Sequence, residues 1–121
     1  MKIVIPVLEN KGMNSIISEH FGHAPYFAFI EIEDGEIESV EIEQNPYEEH
    51  GPGVVPRYIK SKGAEIIIVR GIGGRALGFF KELGIKVVRG AQGRIKDIIN
   101  DYITGNLVDS EYTVKEKYHN H

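Results

Sequence analysis

The sequence predicts an α/β domain with three layers, in which helices cover a mixed five-stranded sheet. Three observations support this fold class: an alternating hairpin pattern early in the chain, two continuous apolar runs further along, and three amphipathic patterns that each end at a glycine. Together they give the order β-β-β-α-β-α-β-α, a meander followed by crossovers. Crossovers of this length join parallel strands in the right-handed sense.

The first predicted strand is the short apolar run KIVIPV at residues 2–7. A polar, irregular segment follows at residues 8–20 and is expected to be a loop. The apolar run at residues 2–7 lacks the small-residue cleavage site of a signal peptide. No apolar stretch in the sequence reaches the roughly 20 residues that span a bilayer. We therefore expect a cytoplasmic protein without membrane partners.

An alternating hairpin comes next. PYFAFIEIE at residues 25–33 is a strand pattern, and EIESVEIEQ at residues 36–44 is the returning strand, acidic on its solvent side. The Asp34-Gly35 pair between them predicts a type I′ turn, because that turn needs positive φ at both positions. One face of the first hairpin strand carries Tyr26, Ala28, Ile30 and Ile32.

Apolar strands and helical stripes alternate in the second half of the chain. AEIIIV at residues 64–69 and IKVV at residues 85–88 are continuous apolar runs, as expected of strands that are covered on both faces. Each helix is expected to end at a glycine in a left-handed C′ cap, namely Gly63, Gly84 and Gly105. The apolar stripes of these helices consist of Val54, Val55, Tyr58 and Ile59, of Ala76, Leu77 and Phe80, and of Ile95, Ile98, Ile99, Tyr102 and Ile103.

This layout is that of the ribonuclease H-like fold. The chain of 121 residues is long enough for one buried core. We expect a single domain at residues 1–107 and a flexible C-terminal tail at residues 108–121, which lacks periodicity. The tail carries His119 and His121, for which a frayed terminus is a simpler interpretation than opportunistic metal binding.

Composition restricts the chemistry that is open to this protein. The chain has no cysteine, which excludes disulfides, thiol nucleophiles and cysteine-held zinc or iron–sulfur clusters. A metal would have to be bound by histidine, carboxylate or backbone groups. The net charge of −4 disfavours general nucleic-acid binding, because that function needs a basic face.

All the arginines fall in strand-to-helix connections or in the first turns of helices. In a sheet of this kind ligands bind at the carboxyl ends of the parallel strands, where helix N-termini favour anions. Arginine at the start of a helix opposes the helix dipole, so its repeated occurrence there favours an anion-binding edge over the capping of local carboxylates. The residues concerned are Arg57, Arg70, Arg75, Arg89 and Arg94.

A glycine-rich loop, VRGIGGRALG at residues 69–78, leads from a strand into a helix at this predicted edge. Its glycines would let backbone N–H groups approach a ligand with no side chain in between. The spacing Gly71-x-Gly73-x-x-Ala76 also matches a dinucleotide-binding fingerprint, but the acidic residue expected about 20 positions later is missing. Arg89 stands near that position instead, which suits a phosphate better than a ribose. Gly74 completes the loop.

HGPG at residues 50–53 is a second glycine-rich entry to a helix, with His50 at its start. The stretch SEHFGHAPYF contributes His20 and His23 just before the second strand. If that strand runs antiparallel to the first, these histidines and the glycine loop converge on one edge of the sheet. Each histidine alone is more simply explained as a structural residue, so the hypothesis depends on this convergence.

Catalysis has little support, and we expect a binding protein that is not an enzyme. A ribonuclease H-like nuclease needs metal-binding carboxylates, one of them on the first strand, and residues 2–7 have none. Ser15 and Ser18 lie near His20 in the sequence, but no third member of a triad and no glycine elbow accompany them. The alternative function is a phosphate- or nucleotide-binding regulatory module that uses the GIGG loop.

The chain resembles the nitrogenase iron–molybdenum cofactor biosynthesis family, which includes NifX-type proteins and the C-terminal domain of NifB-type proteins. The resemblance covers nearly all of residues 1–107. It rests on IPV near the start, SEHFGHAPYF, the Asn45-Pro46 turn, HGPG, the apolar strand before GIGGRA, ELGIKV, and the closing Ile-x-x-Tyr-x-x-Gly-x-Leu at residues 99–107.

The resemblance implies a carrier without ribonuclease activity. It would bind the iron–molybdenum cofactor or an iron–sulfur precursor cluster and pass it on to cofactor-assembly proteins. Candidate metal contacts are His20, His50 and His23. The anionic part of the cluster would be held by Gly71, Gly73, Gly74, Arg75, Arg70, Arg89, Gly51 and Gly53. We expect a monomer or a weak homo-oligomer, because the acidic hairpin leaves a sheet edge open.

Overall fold

The computed structural model describes residues 1–46 and 53–111. It consists of one five-stranded sheet in the order β3-β2-β1-β4-β5, with helices on both faces. The strands are β1 (Lys2–Val7), β2 (Tyr26–Glu33), β3 (Glu36–Gln44), β4 (Ile66–Ile68) and β5 (Lys86–Val88). The helices are α1 (Val54–Ser61), α2 (Gly74–Glu82) and α3 (Ile95–Ile103).

The sheet is mixed, as the sequence predicts. β2 pairs antiparallel with both β1 and β3, whereas β1, β4 and β5 are parallel to one another. The element order and the α/β class are confirmed, and the arrangement is compatible with the ribonuclease H-like layout. Since β1 lies at the centre of the sheet, its buried run of apolar residues is covered on both faces.

The two faces of the sheet bury different kinds of side chain. The face under α3 is mainly aliphatic and includes the predicted stripe of β2, so Ala28 and Ile30 pack with Ile95 and Ile98. The opposite face lies under α1 and α2 and contains four buried phenylalanines, which are Phe21, Phe27, Phe29 and Phe80. Phe80 fixes α2 to this face, where its ring meets Phe21 edge-on with 5.2 Å between centroids.

The predicted turn and helix ends are confirmed. Asp34 and Gly35 both have positive φ, of 53° and 76°, which is the backbone a type I′ turn requires. Each helix is followed by a left-handed glycine, with φ of 88° at Gly63, 74° at Gly84 and 79° at Gly105.

Two local predictions need correction. Ile103 was expected on the packed stripe of α3, but it is 39% exposed because it lies in the last turn, beyond the edge of the core. The segment at 8–20 is more than a surface loop, since Ser15, Ile17 and Ser18 in it are buried. Ile17 donates its N–H to Gly93 O at 3.0 Å, and Ser15 O accepts a hydrogen bond from Ile95 N at 3.0 Å.

None of the helices in the described part of the chain has the length and apolar character needed to cross a membrane.

Candidate functional site

The carboxyl edge of the sheet collects most of the predicted site residues. We use this name for the edge formed by the ends of β1, β4 and β5, the start of β2 and the N-termini of α1 and α2. It follows from the topology, because β1, β4 and β5 are parallel and the two helices run back from it. The opposite edge, with the Asp34-Gly35 turn and the start of β1, is called the amino edge.

His20 lies directly beside the glycine loop. It forms an isolated parallel bridge with Gly71, and the N–H of the next residue, Phe21, donates to Gly71 O at 3.0 Å. The Phe21 side chain is buried among Phe27 and Phe80, so the core fixes the backbone on which His20 sits. The expected convergence of SEHFGH and GIGG is therefore present in the fold.

The rings of His20 and His23 lie edge-on to each other across the FGH turn. Their ring centroids are 5.7 Å apart and their planes are nearly perpendicular, at 87°. Residues Phe21–His23 form one 3₁₀ turn, which leaves His20 half-buried and His23 exposed. The arrangement can present imidazole nitrogens to a ligand at the edge.

Gly73 and Gly74 leave open space at the start of α2. Gly73 is the N-cap, with an ordinary extended backbone of φ −74° and ψ 157°. A Cβ at either glycine would meet no protein atom within 4 Å, and the same is true of Gly22 in the FGH turn. Neither backbone strain nor crowding inside the fold requires glycine at these positions. A ligand that approaches the backbone closely would require it.

The N-terminus of α2 is electrostatically open. No side chain caps it, and its first turn contains no acidic residue. Leu77 is the first residue of the helix whose N–H bonds back to Gly73 O, at 3.0 Å. The preceding N–H groups, together with the positive end of the helix dipole, therefore favour an anion.

The arginines of the carboxyl edge differ in their surroundings. Arg75 is exposed in the first turn of α2, and Arg70, half-buried, lies two residues beyond the end of β4. Arg94 Nη1 donates to Asn14 O at 2.6 Å and lies 3.8 Å from Glu9, so its role is partly structural. Arg57 is exposed in α1 and lies close to Gly53.

Arg89 is bound to a carboxylate. Its Nε and Nη2 donate to the two oxygens of Asp109, both at 3.1 Å, and its backbone N–H donates to Asp109 Oδ1 at 2.7 Å. These hydrogen bonds lower the pKa of the Asp109 carboxyl and raise the pKa of Arg89. Arg89 therefore caps a local carboxylate, as in the alternative interpretation of the arginines. Asp109 belongs to the segment predicted as a tail.

The structure describes only part of the HGPG segment. His50 and Gly51 lie outside the described residues. Gly53 is the N-cap of α1 with φ of 89°, and a Cβ there would come within 2.9 Å of Arg57 Nη1 and 3.1 Å of the Phe79 ring. Glycine at 53 thus has a conformational and steric reason that is independent of any ligand.

The serines near His20 hold the backbone. Ser18 Oγ donates to His20 O at 3.0 Å, and Ser15 Oγ accepts a hydrogen bond from Lys11 N at 2.8 Å. Both residues are buried, so neither hydroxyl forms the nucleophile–base pair considered from the sequence. Within residues 1–46 and 53–111, no three histidine, aspartate or glutamate side chains form a group that could hold a metal ion.

The fold and this edge define a small α/β domain with an anion-compatible sheet edge. The chain belongs to the dinitrogenase iron-molybdenum cofactor family, which it matches over residues 1–105. The predicted resemblance is confirmed, and it gives the protein a role associated with that cofactor.

Relatives extend this assignment. An uncharacterized protein of Methanocaldococcus jannaschii is 36% identical over 110 residues, which cover 88% of this chain and 89% of the relative. The crystal structure of the protein PH0822 is 42% identical, with a TM-score of 0.84, and the match covers 91% of this chain and 96% of that one. The NMR structure of a candidate NifB protein from Thermotoga is 28% identical, with a TM-score of 0.74 and coverage of 95% and 97%.

Proposed function

We propose that this protein is a non-enzymatic carrier that binds a preassembled, anionic metal cluster at the carboxyl edge and releases it to an assembly partner. The cluster is of the iron–molybdenum cofactor type or is an iron–sulfur precursor of it. The single observation that carries the proposal is the pairing of His20 with Gly71. It joins a metal-binding side chain to a loop whose other glycines leave room for a ligand.

The anionic part of the cluster would lie over Gly73 and Gly74. Backbone N–H groups at the open N-terminus of α2 would donate to its sulfides or carboxylate, and Arg75 and Arg70 would supply positive charge. The open space above both glycines supports this placement. Arg89, Gly51 and Gly53 remain further candidates, although the Arg89 guanidinium must then share its charge with Asp109.

The metal part would be contacted by imidazole. His20 and His23 are 5.7 Å apart between ring centroids, and His50 is the third candidate. Imidazole is a suitable ligand for iron, and few metal bonds favour release over permanent storage. A chain without cysteine is consistent with a cluster that arrives already built.

The direct test is cofactor loading. The protein is mixed anaerobically with isolated iron–molybdenum cofactor and gel-filtered, and the iron and molybdenum in the protein peak are measured. We expect both metals to co-elute with wild-type protein, and retention to fall about tenfold in His20→Ala if one metal bond of about 1.4 kcal/mol is lost. His23→Ala and His50→Ala are compared in the same way.

The double variant His119→Ala/His121→Ala is the matched control, because it removes histidines that the proposal does not use. Retention that persists in all three single variants would refute the metal contacts. Wild-type protein that elutes free of both metals would refute the carrier function itself. In that case a rise in melting temperature with ATP or NADPH would favour the phosphate-binding alternative, which uses the same GIGG loop.

A further inference from the structure

A second feature lies away from His20, on the outer side of the edge strand β5. A groove of about 340 Å³ runs between α2 and β5. Its apolar lining comes from Leu77, Ile85 and Val87, and its charged rim comes from Lys81, Lys86 and Arg89, with Asp109 at one end. Three cations thus surround an apolar floor.

The backbone of β5 offers one unused pairing position in this groove. Lys86 N donates to Glu65 O and Val88 O accepts from Val69 N, so these two residues face β4. Because the backbone groups of a parallel strand alternate between its two neighbours, Val87 turns its N–H and C=O outward. In the described part of the chain β4 is the only strand beside β5, and neither outward group of Val87 has a hydrogen-bond partner.

The outward N–H groups on either side of Val87 are already occupied. Ile85 N donates to Phe80 O at 2.9 Å, which closes the end of α2 onto the strand. At Arg89 the occupant is an acidic piece of the chain itself: Ser110 N donates to Arg89 O at 3.0 Å, and the Asp109 carboxylate binds the guanidinium and the N–H. This contact displays the chemistry that the edge accepts, namely a backbone N–H donor next to a carboxylate.

We propose that the β5 groove binds an acidic, extended segment of another protein by adding it as a strand beside Val87. Main-chain hydrogen bonds to Val87 would provide affinity, and the alternating side chains of the segment would sit on the apolar floor or against Lys81 and Lys86. Charge complementarity selects this occupant, since Asp109 pairs with Arg89 while Lys81 and Lys86 form no ion pair with any described residue. The proposal does not depend on the cluster-binding function.

The test uses three short peptides with a fluorescent label and the full-length protein. The probe is acetyl-Glu-Val-Glu-Val-Glu-amide, the charge control replaces each glutamate by lysine, and the backbone control is the acidic peptide with every backbone nitrogen methylated. We expect the acidic peptide alone to bind. Upon binding, the Val87 amide should shift in the ¹⁵N–¹H spectrum and exchange more slowly with solvent.

Three variants separate the contributions of charge and backbone. Lys81→Glu/Lys86→Glu should weaken binding at low salt by about tenfold or more, because it reverses the rim charge. Lys60→Glu/Lys96→Glu makes the same change in net charge at exposed positions on other helices and should bind as wild type does. Val87→Pro removes the outward N–H and no bond to β4, so it should weaken peptide binding, and its melting temperature reports the separate loss of Val87 packing on the core.

Several outcomes would overturn the proposal. If the methylated peptide binds as well as the acidic probe, charge alone accounts for binding and no strand is added. If the Lys81→Glu/Lys86→Glu variant binds as well as wild type, the charged rim does not contribute to binding. Citrate that competes as well as the peptide would indicate a small-anion site. Self-association in sedimentation velocity that depends on Lys81 and Lys86 would make a second copy of this chain the occupant.

Discussion

At the amino edge of the sheet the terminal amino group and Lys2 have partners within the fold, whereas at the carboxyl edge several cations face solvent. The amino group of Met1 lies 2.8 Å from Glu31 and 3.2 Å from Glu33, and Lys2 Nζ donates to Lys62 O at 2.9 Å. At the carboxyl edge Arg57 and Arg75 form no ion pair with any described residue.

Glycines show the same contrast. At the amino edge Gly35 and Gly63 are required by their positive φ, so they serve the turn and the helix end. At the carboxyl edge Gly22, Gly73 and Gly74 have no positive φ and would carry a Cβ in open space. The amino-edge glycines are therefore explained by folding, whereas neither a positive φ nor crowding explains Gly22, Gly73 and Gly74.

The largest expected effect is a loss of stability at the amino edge. Gly35→Val places a β-branched residue at φ of 76°, so we expect the free energy of unfolding to fall by about 2 kcal/mol. Urea denaturation measures this loss. Cofactor retention by the folded fraction should equal that of wild type, since the turn lies at the far edge. Gly35→Asn, which tolerates this backbone, should lose less stability.

The next effect has opposite signs for stability and binding. Gly73→Asp supplies a carboxylate at the uncapped N-terminus of α2, on a backbone that already suits an N-cap, so stability should rise by about 0.3–1 kcal/mol. The same carboxylate occupies the proposed cluster position and repels an anion, so retention in the gel-filtration assay should fall about tenfold or more.

Gly78→Ala is the control for Gly73→Asp. Gly78 lies within α2, exposed and with open space around it, so alanine should raise stability by up to about 1 kcal/mol without affecting retention. If Gly73→Asp retains the cluster as well as Gly78→Ala does, the N-terminus of α2 is not the anion site.

The contrast also explains which features could be predicted from the sequence. The strands, helices and glycine caps depend on local periodicity and on residues such as Gly35, and these predictions are confirmed. The edge of the sheet on which His20 lies could also be predicted from the sequence, because the strand directions determine it. The bridge from His20 to Gly71 could not, since it joins segments that are distant in sequence and has no local signal.

Other contacts between segments distant in sequence could not be predicted either. The sequence predicts Ser15 and Ile17 to be loop residues, yet both are buried and are hydrogen-bonded through their backbones to Ile95 and Gly93. The contact between Asp109 and Arg89 has no local signal either, because the sequence around Asp109 has no periodicity and closeness in space cannot be identified from charge patterns alone. Sequence patterns therefore gave no indication of contacts where distant segments fold onto each other at the carboxyl edge.

The smallest expected effect concerns Asp109, which makes Arg89 an exception among the cations of the carboxyl edge. Asp109→Asn keeps an acceptor for Arg89 N but removes the ion pair. Because Asp109 is 43% exposed, the unfolding free energy should fall by less than about 1 kcal/mol at pH 7. The released guanidinium should raise cofactor retention at low salt, and a decrease in retention would contradict an anionic ligand at this edge.

The pH dependence provides an independent measurement of this ion pair. Arg89 lowers the pKa of Asp109 in the folded protein, so the stabilisation is fully present above the ordinary aspartate pKa of about 3.9. It is lost as pH falls through the lower folded value, where the carboxylate takes up a proton. The stability difference between wild type and Asp109→Asn, measured by urea denaturation, should therefore be constant from pH 7 to 5 and shrink below pH 4. If the difference persists in acid, the ion pair is not its cause. The loss of stability in Asp109→Asn would then come from a weaker hydrogen bond between the asparagine and Arg89 N.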